Sequence, residues 1–175
     1  MIKCKNKTIS NTSKESIAKI LKDILKNADE HKYLTKGDEG KIFYFRILKS
    51  LMINDFKIKP GEYVLKIFNR PKSFEQLNYY YVLSNLKLIP TIYIKNSKFL
   101  VMRYIDGVPL SSLDKFLKNT PLYSLEIYEK INQLIKKWHK LGFAHGDLNF
   151  SNILIGKSKI NFIDPNIEDL EPINY

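Results

Sequence analysis

The sequence predicts an α+β fold in two unequal halves: an N-terminal antiparallel sheet with a helix, then a smaller, mainly helical C-terminal half. Three observations carry this expectation. An amphipathic helix stands ahead of segments rich in aromatic and β-branched residues; one further helical stretch interrupts those segments; and beyond Asp106-Gly107-Val108-Pro109 the pattern becomes one long helix and a short hairpin. A chain of 175 residues is long enough to bury a core in each half.

Thr12-Ser13-Lys14-Glu15 has the form of a capping box, and Ile17, Ile20, Leu21, Ile24 and Leu25 recur at helical spacing, predicting a helix over 13–27. From about residue 33 the period changes to that of strands. Ile42–Leu48 and Glu62–Phe68 read as strong strands, with Pro60-Gly61 as a turn between them. Pro71-Lys72-Ser73 opens a helix that runs to about Leu86, and Thr91–Ile94 and Phe99–Tyr104 are the next strands. Asp106 to Pro109 has turn chemistry and marks a hinge. Ser124 is placed to cap a long helix lined on one face by Ile127, Tyr128, Ile131, Leu134, Ile135, Trp138 and Leu141 and stopped at Gly142. Ile153–Ile155 and Lys159–Ile163 form the hairpin. The expected divisions are a helical extension over 1–32, a strand-rich lobe over 33–105 and a short C-terminal lobe over 106–175.

The net charge of +11 is unevenly spread. Residues 1–60 carry 14 Lys/Arg against 7 Asp/Glu and residues 61–110 carry 7 against 3, whereas residues 111–175 carry 8 of each. Such a basic N-terminal part suits phosphorylated partners or an anionic membrane face, and equally a solvated lysine-rich surface. The single cysteine, Cys4, excludes an internal disulfide and a thiolate zinc site. The N-terminal residues lack the apolar stretch of a signal peptide and no apolar run is long enough to cross a bilayer, so a cytoplasmic location is expected. No nucleic-acid reading motif is present, and no specific nucleic acid is expected as a partner.

The chemistry concentrates in His145-Gly146-Asp147-Leu148-Asn149-Phe150-Ser151-Asn152, which follows the long helix and precedes the hairpin. Asp147 lies on a loop at the helix end, Asn152 follows five residues on, and Asp164 ends the second hairpin strand. Amide and carboxylate oxygens converging in this way are hard ligands that suit magnesium, which keeps several of its waters. Lys66 stands amid the apolar residues of Val64-Leu65-Lys66-Ile67-Phe68, a setting unusual for lysine unless its charge is paired.

This pattern resembles the protein-kinase-like superfamily, whose catalytic loop has the form His-x-Asp-x-x-x-x-Asn followed by a metal-binding Asp. The resemblance covers residues 33–165 with its motifs in the expected order and implies a two-lobe protein-kinase-like fold using ATP and Mg2+. It implies that Asp147 accepts the proton of an acceptor hydroxyl, that Asn152 and Asp164 hold magnesium, that His145 braces the loop, and that Lys66 grips the α- and β-phosphates. Lys36-Gly37-Asp38-Glu39-Gly40-Lys41-Ile42 resembles the glycine-rich loop over the phosphates, although a plain turn would look the same; Lys36, Gly37, Gly40 and Ile42 would then line the nucleotide. Leu100 to Gly107 resembles the interlobe hinge, with Met102 beside the adenine and backbone groups of Arg103 and Ile105 meeting it.

The departures are as informative. The helix after Lys66 offers only Glu75 as its partner, and the Leu83/Leu86 spacing puts Tyr79 in the usual slot. Gly146 replaces the arginine that reads a phosphorylated activation loop in many protein kinases, Asn149 replaces the catalytic-loop lysine, and Asp164-Pro165 replaces Asp-Phe-Gly. The sequence ends soon after Asp164, at Tyr175, so no activation segment is expected. Within the superfamily the chain is most similar to bacterial kinases of the heptose or Kdo sugars of lipopolysaccharide core. That implies a glycan hydroxyl acceptor and peripheral association with the inner face of the inner membrane. A small RIO-type protein kinase or ATPase, with a protein acceptor, and a nucleotide-binding pseudokinase are the alternatives.

Overall fold

The computed structural model describes residues 14–36, 39–53, 56–113, 121–157 and 159–166. The capping-box residues Thr12 and Ser13 lie outside them, as do Gly37 and Asp38. The chain divides into two units, residues 1–81 with 91–104, and residues 82–90 with 105–175. No helix among the described residues is long and apolar enough to cross a membrane.

In the first unit, helix α1 (Lys14–Asn27) precedes strands β1 (Glu30–Lys36), β2 (Gly40–Ile47), β3 (Leu51–Ile53), β4 (Phe56–Ile58) and β5 (Gly61–Phe68). Helix α2 (Phe74–Asn85) begins in this unit, and β6 (Ile92–Asn96) and β7 (Phe99–Arg103) complete it. Five strands form an antiparallel sheet in the order β1-β2-β5-β7-β6, while β3 and β4 make a separate hairpin not anticipated from the sequence. The sequence reading stands for β2, β5, β6 and β7 to within two residues at either end.

One face of the sheet supplies the core. Phe45, Ile47, Tyr63, Leu65, Ile94, Phe99 and Val101 cluster there with Ile24 of α1 and Ile58 of β4. Each such buried side chain contributes roughly 1.5–3 kcal/mol. The opposite face is set by the register. Ile42 lies across from Lys66 and Lys66 from Leu100; Val64 lies between Tyr44 and Met102; Gly40 faces Phe68. Because the side-chain period of a strand is two, all these residues share one side of the sheet. Lys66 thus sits on the central strand, on the side away from the α1 core. Helix α2 starts with a reciprocal cap, in which Gln76 N–H donates to Ser73 Oγ at 3.2 Å and Ser73 N–H donates to Gln76 Oε1 at 2.8 Å.

In the second unit, β8 (Gly107–Pro109), helix α3 (Pro121–Lys140), β9 (Ile153–Gly156) and β10 (Ile160–Phe162) follow. The Asp106–Pro109 segment, expected to be a turn, supplies the edge strand β8 of a three-stranded sheet β10-β9-β8. Proline is tolerated there because an edge strand does not need every N–H. Helix α3 begins at Pro121 rather than at Ser124, since proline at the first helical position loses no hydrogen bond. It ends as expected: Gly142 adopts φ 80°, and Phe143 N–H donates to the Trp138 carbonyl at 3.1 Å. Tyr128 and Leu141, expected on its apolar face, are exposed.

Candidate active site

The loop after α3 is fastened to the residues that follow β10. Asn166 N–H donates to the His145 carbonyl at 2.9 Å, and Ile163 N–H donates to the Asn152 carbonyl at 3.0 Å. His145 is buried between Trp138 and Phe162, with ring centroids 5.2 and 5.6 Å away. Its Nε2 lies 2.9 Å from the carbonyl oxygen of Ile163. Burial lowers the His145 pKa below the ordinary value, outweighing the opposing influence of the Ile163 carbonyl and of Asp147 and Asp164. The imidazole is therefore neutral, with Nε2–H as the donor and Nδ1 buried without a hydrogen-bond partner among the described residues.

Gly146 has φ 74°, and a Cβ placed on it would lie 2.7 Å from the carbonyl oxygen of Asn166. Only glycine combines that backbone angle with so close an approach. This is a local reason for glycine where an arginine was compared above.

Asp147 is exposed and its carboxylate is held by two amides. Asn149 Nδ2 donates to Oδ1 at 3.0 Å, and Asn152 Nδ2 donates to Oδ2 at 3.0 Å and to the Asp147 carbonyl at 2.9 Å. Asn149 also caps the 3-10 turn Phe150–Asn152, its Oδ1 accepting from the N–H groups of Ser151 and Asn152 at 2.9 and 3.2 Å. Asn149 is thus a positioning residue for Asp147, a role that the sequence reading, which noted only the missing lysine, did not assign. The signal was present: asparagine three residues before Asn152 is a favoured cap.

With its nitrogen turned to Asp147, the Asn152 amide presents Oδ1 on its other side. Asp164 follows the residue that Asn152 binds and adopts φ 57°, a left-handed conformation tolerated by Asp better than by most residues. Among the described residues no three His, Cys, Asp or Glu groups cluster as a metal cage. One amide oxygen and one carboxylate are nonetheless the type of donor set magnesium takes when it keeps most of its waters.

On the first unit, Lys66 is 2% exposed and its ammonium is paired with the carboxylate of Glu39, in the connection between β1 and β2. The second Glu39 oxygen accepts from Lys72 Nζ at 3.0 Å. Burial alone would raise the Glu39 pKa, but the charges and hydrogen bonds of Lys66 and Lys72 hold it below the usual value. Glu75, the carboxylate the sequence offered to Lys66, is exposed at the start of α2, where hydrogen bonds from its own backbone and from Ser73 lower its pKa.

Of the residues expected to line a nucleotide, Gly40, Ile42, Lys66 and Met102 share one side of the sheet. Lys36 is exposed at the end of β1, opposite Lys41, whose neighbours on β2 are Gly40 and Ile42. Gly37 lies outside the described residues. Arg103 N–H donates to the Thr91 carbonyl at 2.8 Å, so that this hinge donor is engaged within the sheet. Ile105 is half-buried and belongs to the second unit.

Taken with the fold, these two constellations define a protein of the protein-kinase-like class. The chain belongs, within it, to the RIO domain family, whose model matches residues 57–166, well over half of the sequence. It is 41% identical over 75 residues, covering 43% of this chain and 12% of the relative, to a probable bifunctional tRNA threonylcarbamoyladenosine biosynthesis protein of Methanosarcina barkeri. It is 33% identical over 79 residues, 43% of this chain and 34% of the relative, to the KEOPS complex subunit Bud32 of Pyrococcus abyssi. The similarity to the lipopolysaccharide core heptose(II) kinase WaaY of Escherichia coli is lower at 29%, but runs over 122 residues, 68% of this chain and 46% of the relative. The chain therefore spans less than half of each of these proteins.

Proposed function

We propose that this protein transfers the γ-phosphate of ATP to a hydroxyl acceptor, with a heptose or Kdo sugar of lipopolysaccharide core as the first acceptor to test. The observation that carries the reading is the double anchoring of Asn152. Its side-chain nitrogen binds Asp147, and its carbonyl binds the residue before Asp164. One short segment thereby fixes a candidate base and a candidate pair of oxygen ligands in a single unit.

Asp147 accepts the acceptor's proton as the hydroxyl oxygen forms its bond to phosphorus and the bond from phosphorus to the β,γ-bridging oxygen breaks, releasing ADP. The amides of Asn149 and Asn152 orient the carboxylate for that proton. Magnesium held by Asn152 Oδ1 and the Asp164 carboxylate would neutralise phosphate charge. Lys66 binds the α- and β-phosphates, with Gly40, Ile42 and Met102 lining the nucleotide on the same side of the sheet. The similarity to WaaY supports testing a glycan acceptor, and the excess of Lys and Arg over residues 1–110 supports peripheral contact with an anionic inner-membrane face.

The higher local identity to the archaeal proteins favours a second reading. In it the chain is a RIO-type kinase or ATPase that works with other protein subunits in tRNA modification.

The test is magnesium-dependent transfer from γ-labelled ATP by the wild type and by Asp147→Ala, offered core oligosaccharide and protein acceptors. Label on the glycan with the wild type alone is expected. Label on protein, or ATP hydrolysis that needs added partner subunits, would favour the second reading. Nucleotide binding without turnover, unchanged by Asp147→Ala, would make the chain a nucleotide-binding pseudokinase.

A further inference from the structure

The two lysines that share Glu39 lie together on one side of the first unit's sheet. Lys66 Nζ sits 5.5 Å, and Lys72 Nζ 5.6 Å, from the centroid of the same Phe68 ring. Their side chains are 2% and 9% exposed, whereas that of Glu39 is 32% exposed. Two ammonium groups so far removed from water require an anion, because burial of an unpaired charge is costly. Each takes a different oxygen of one carboxylate. Two cations above an aromatic floor that receive two anionic oxygens could equally receive the oxygens of a phosphate or of adjacent phosphates.

The backbone that carries Glu39 is fixed while its side chain has a route to water. Asn69 N–H donates to the Glu39 carbonyl at 2.8 Å. The next residue, Gly40, packs so tightly on β5 that a Cβ there would lie 2.0 Å from the Ile67 carbonyl oxygen. Lys72 is likewise held by its main chain, its N–H donating to the Ser97 carbonyl at 2.6 Å. The main chain at Glu39 and at Lys72 is thus anchored independently of the ion pairs their side chains make.

We propose that Lys72 is a second phosphate-binding cation beside Lys66, and that the Glu39 carboxylate is a built-in competitor which nucleotide phosphate displaces. The proposal rests on the phosphotransferase reading and adds two residues to it. Its signature is that the two partners act in opposite directions: losing Lys72 weakens the phosphate contact, whereas neutralising Glu39 strengthens it. Were Glu39 instead a brace that holds Lys66 in position, removing its charge would weaken the contact. The low Glu39 pKa agrees with a carboxylate that stays ionised at neutral pH.

The experiment is calorimetric titration of adenosine, ADP and ATP, each with magnesium, into the wild type, Lys66→Met, Lys72→Met and Glu39→Gln, with thermal melts of every variant. Lys72→Met should weaken ADP and ATP by about tenfold or more, the loss of one charge-assisted contact, and leave adenosine unchanged. Glu39→Gln should tighten ADP and ATP and leave adenosine unchanged. Wild-type affinity in Lys72→Met while Lys66→Met is weakened would overturn the role of Lys72 and leave the phosphotransferase reading standing. ADP and ATP affinities weakened in Glu39→Gln would overturn the competitor role in the same way. Should Lys72→Met fail to fold, the direction of the Glu39→Gln effect decides the proposal alone. A folded wild type that binds neither ADP nor ATP would overturn both the proposal and the reading beneath it.

Discussion

The backbone carbonyl of Asn152 accepts the N–H of Ile163 at 3.0 Å, so a loop residue is tied to the residue directly before Asp164. The same loop is tied a second time, from the His145 carbonyl to Asn166. The geometry of Asp147 is thus fixed by its own two amide contacts and, through Asn152 and His145, by the segment after β10. The following outcomes are expected.

Replacing Asp147 by Asn should lower kcat by about 10²–10⁴, the usual contribution of a general base. Because Asp147 is exposed, stability should change by no more than about 1 kcal/mol, the value of one of its amide contacts. Transfer kinetics beside urea denaturation separates the two effects.

Asn149 can be dissected by two substitutions. Asn149→Ala removes the cap of the 3-10 turn and should cost about 1 kcal/mol. Asn149→Asp keeps a capping oxygen but sets a second carboxylate against Asp147, which disfavours ionisation of Asp147. The acidic limb of its kcat profile should therefore move to higher pH, and stability at neutral pH should fall below that of the wild type through the same repulsion.

At Gly146 any side chain meets both an unfavourable φ and the Asn166 carbonyl. Gly146→Ala should destabilise the chain by about 2 kcal/mol or more and reduce transfer. A urea midpoint equal to that of the wild type would contradict this account.

The fold was most legible in the sequence where a period could run its length. Strands β2 and β5 each span eight residues, long enough for a strand pattern to show, and α3 carries its apolar stripe over several turns. Strands β3 and β4, of three residues each, are too short to display a period. Strand β8 reads as Gly-Val-Pro and was hidden by its own turn chemistry. The catalytic-type loop was legible because its residues are contiguous. The pairing of Glu39 with Lys66 was not, since it spans 27 positions and exists only through the β2–β5 register.

Stability should depend on pH through His145. Its folded pKa is lowered, so below the ordinary value near 6.5 the unfolded chain binds the proton more readily than the folded one. The folded state should therefore lose stability as the pH falls from about 6.5. Trp138 is the single tryptophan and lies 5.2 Å from the imidazole, so its fluorescence reports on this ring directly. Denaturation followed at Trp138 between pH 5 and 8 should show the slope in the wild type and a shallower one in His145→Gln.

Asp164 occupies a backbone conformation that glycine would adopt at no steric cost. Replacing it by Gly would relieve that backbone angle while abolishing the carboxylate on which phosphate transfer is proposed to depend. The chain thus keeps a carboxylate at a position whose backbone angle alone would favour glycine.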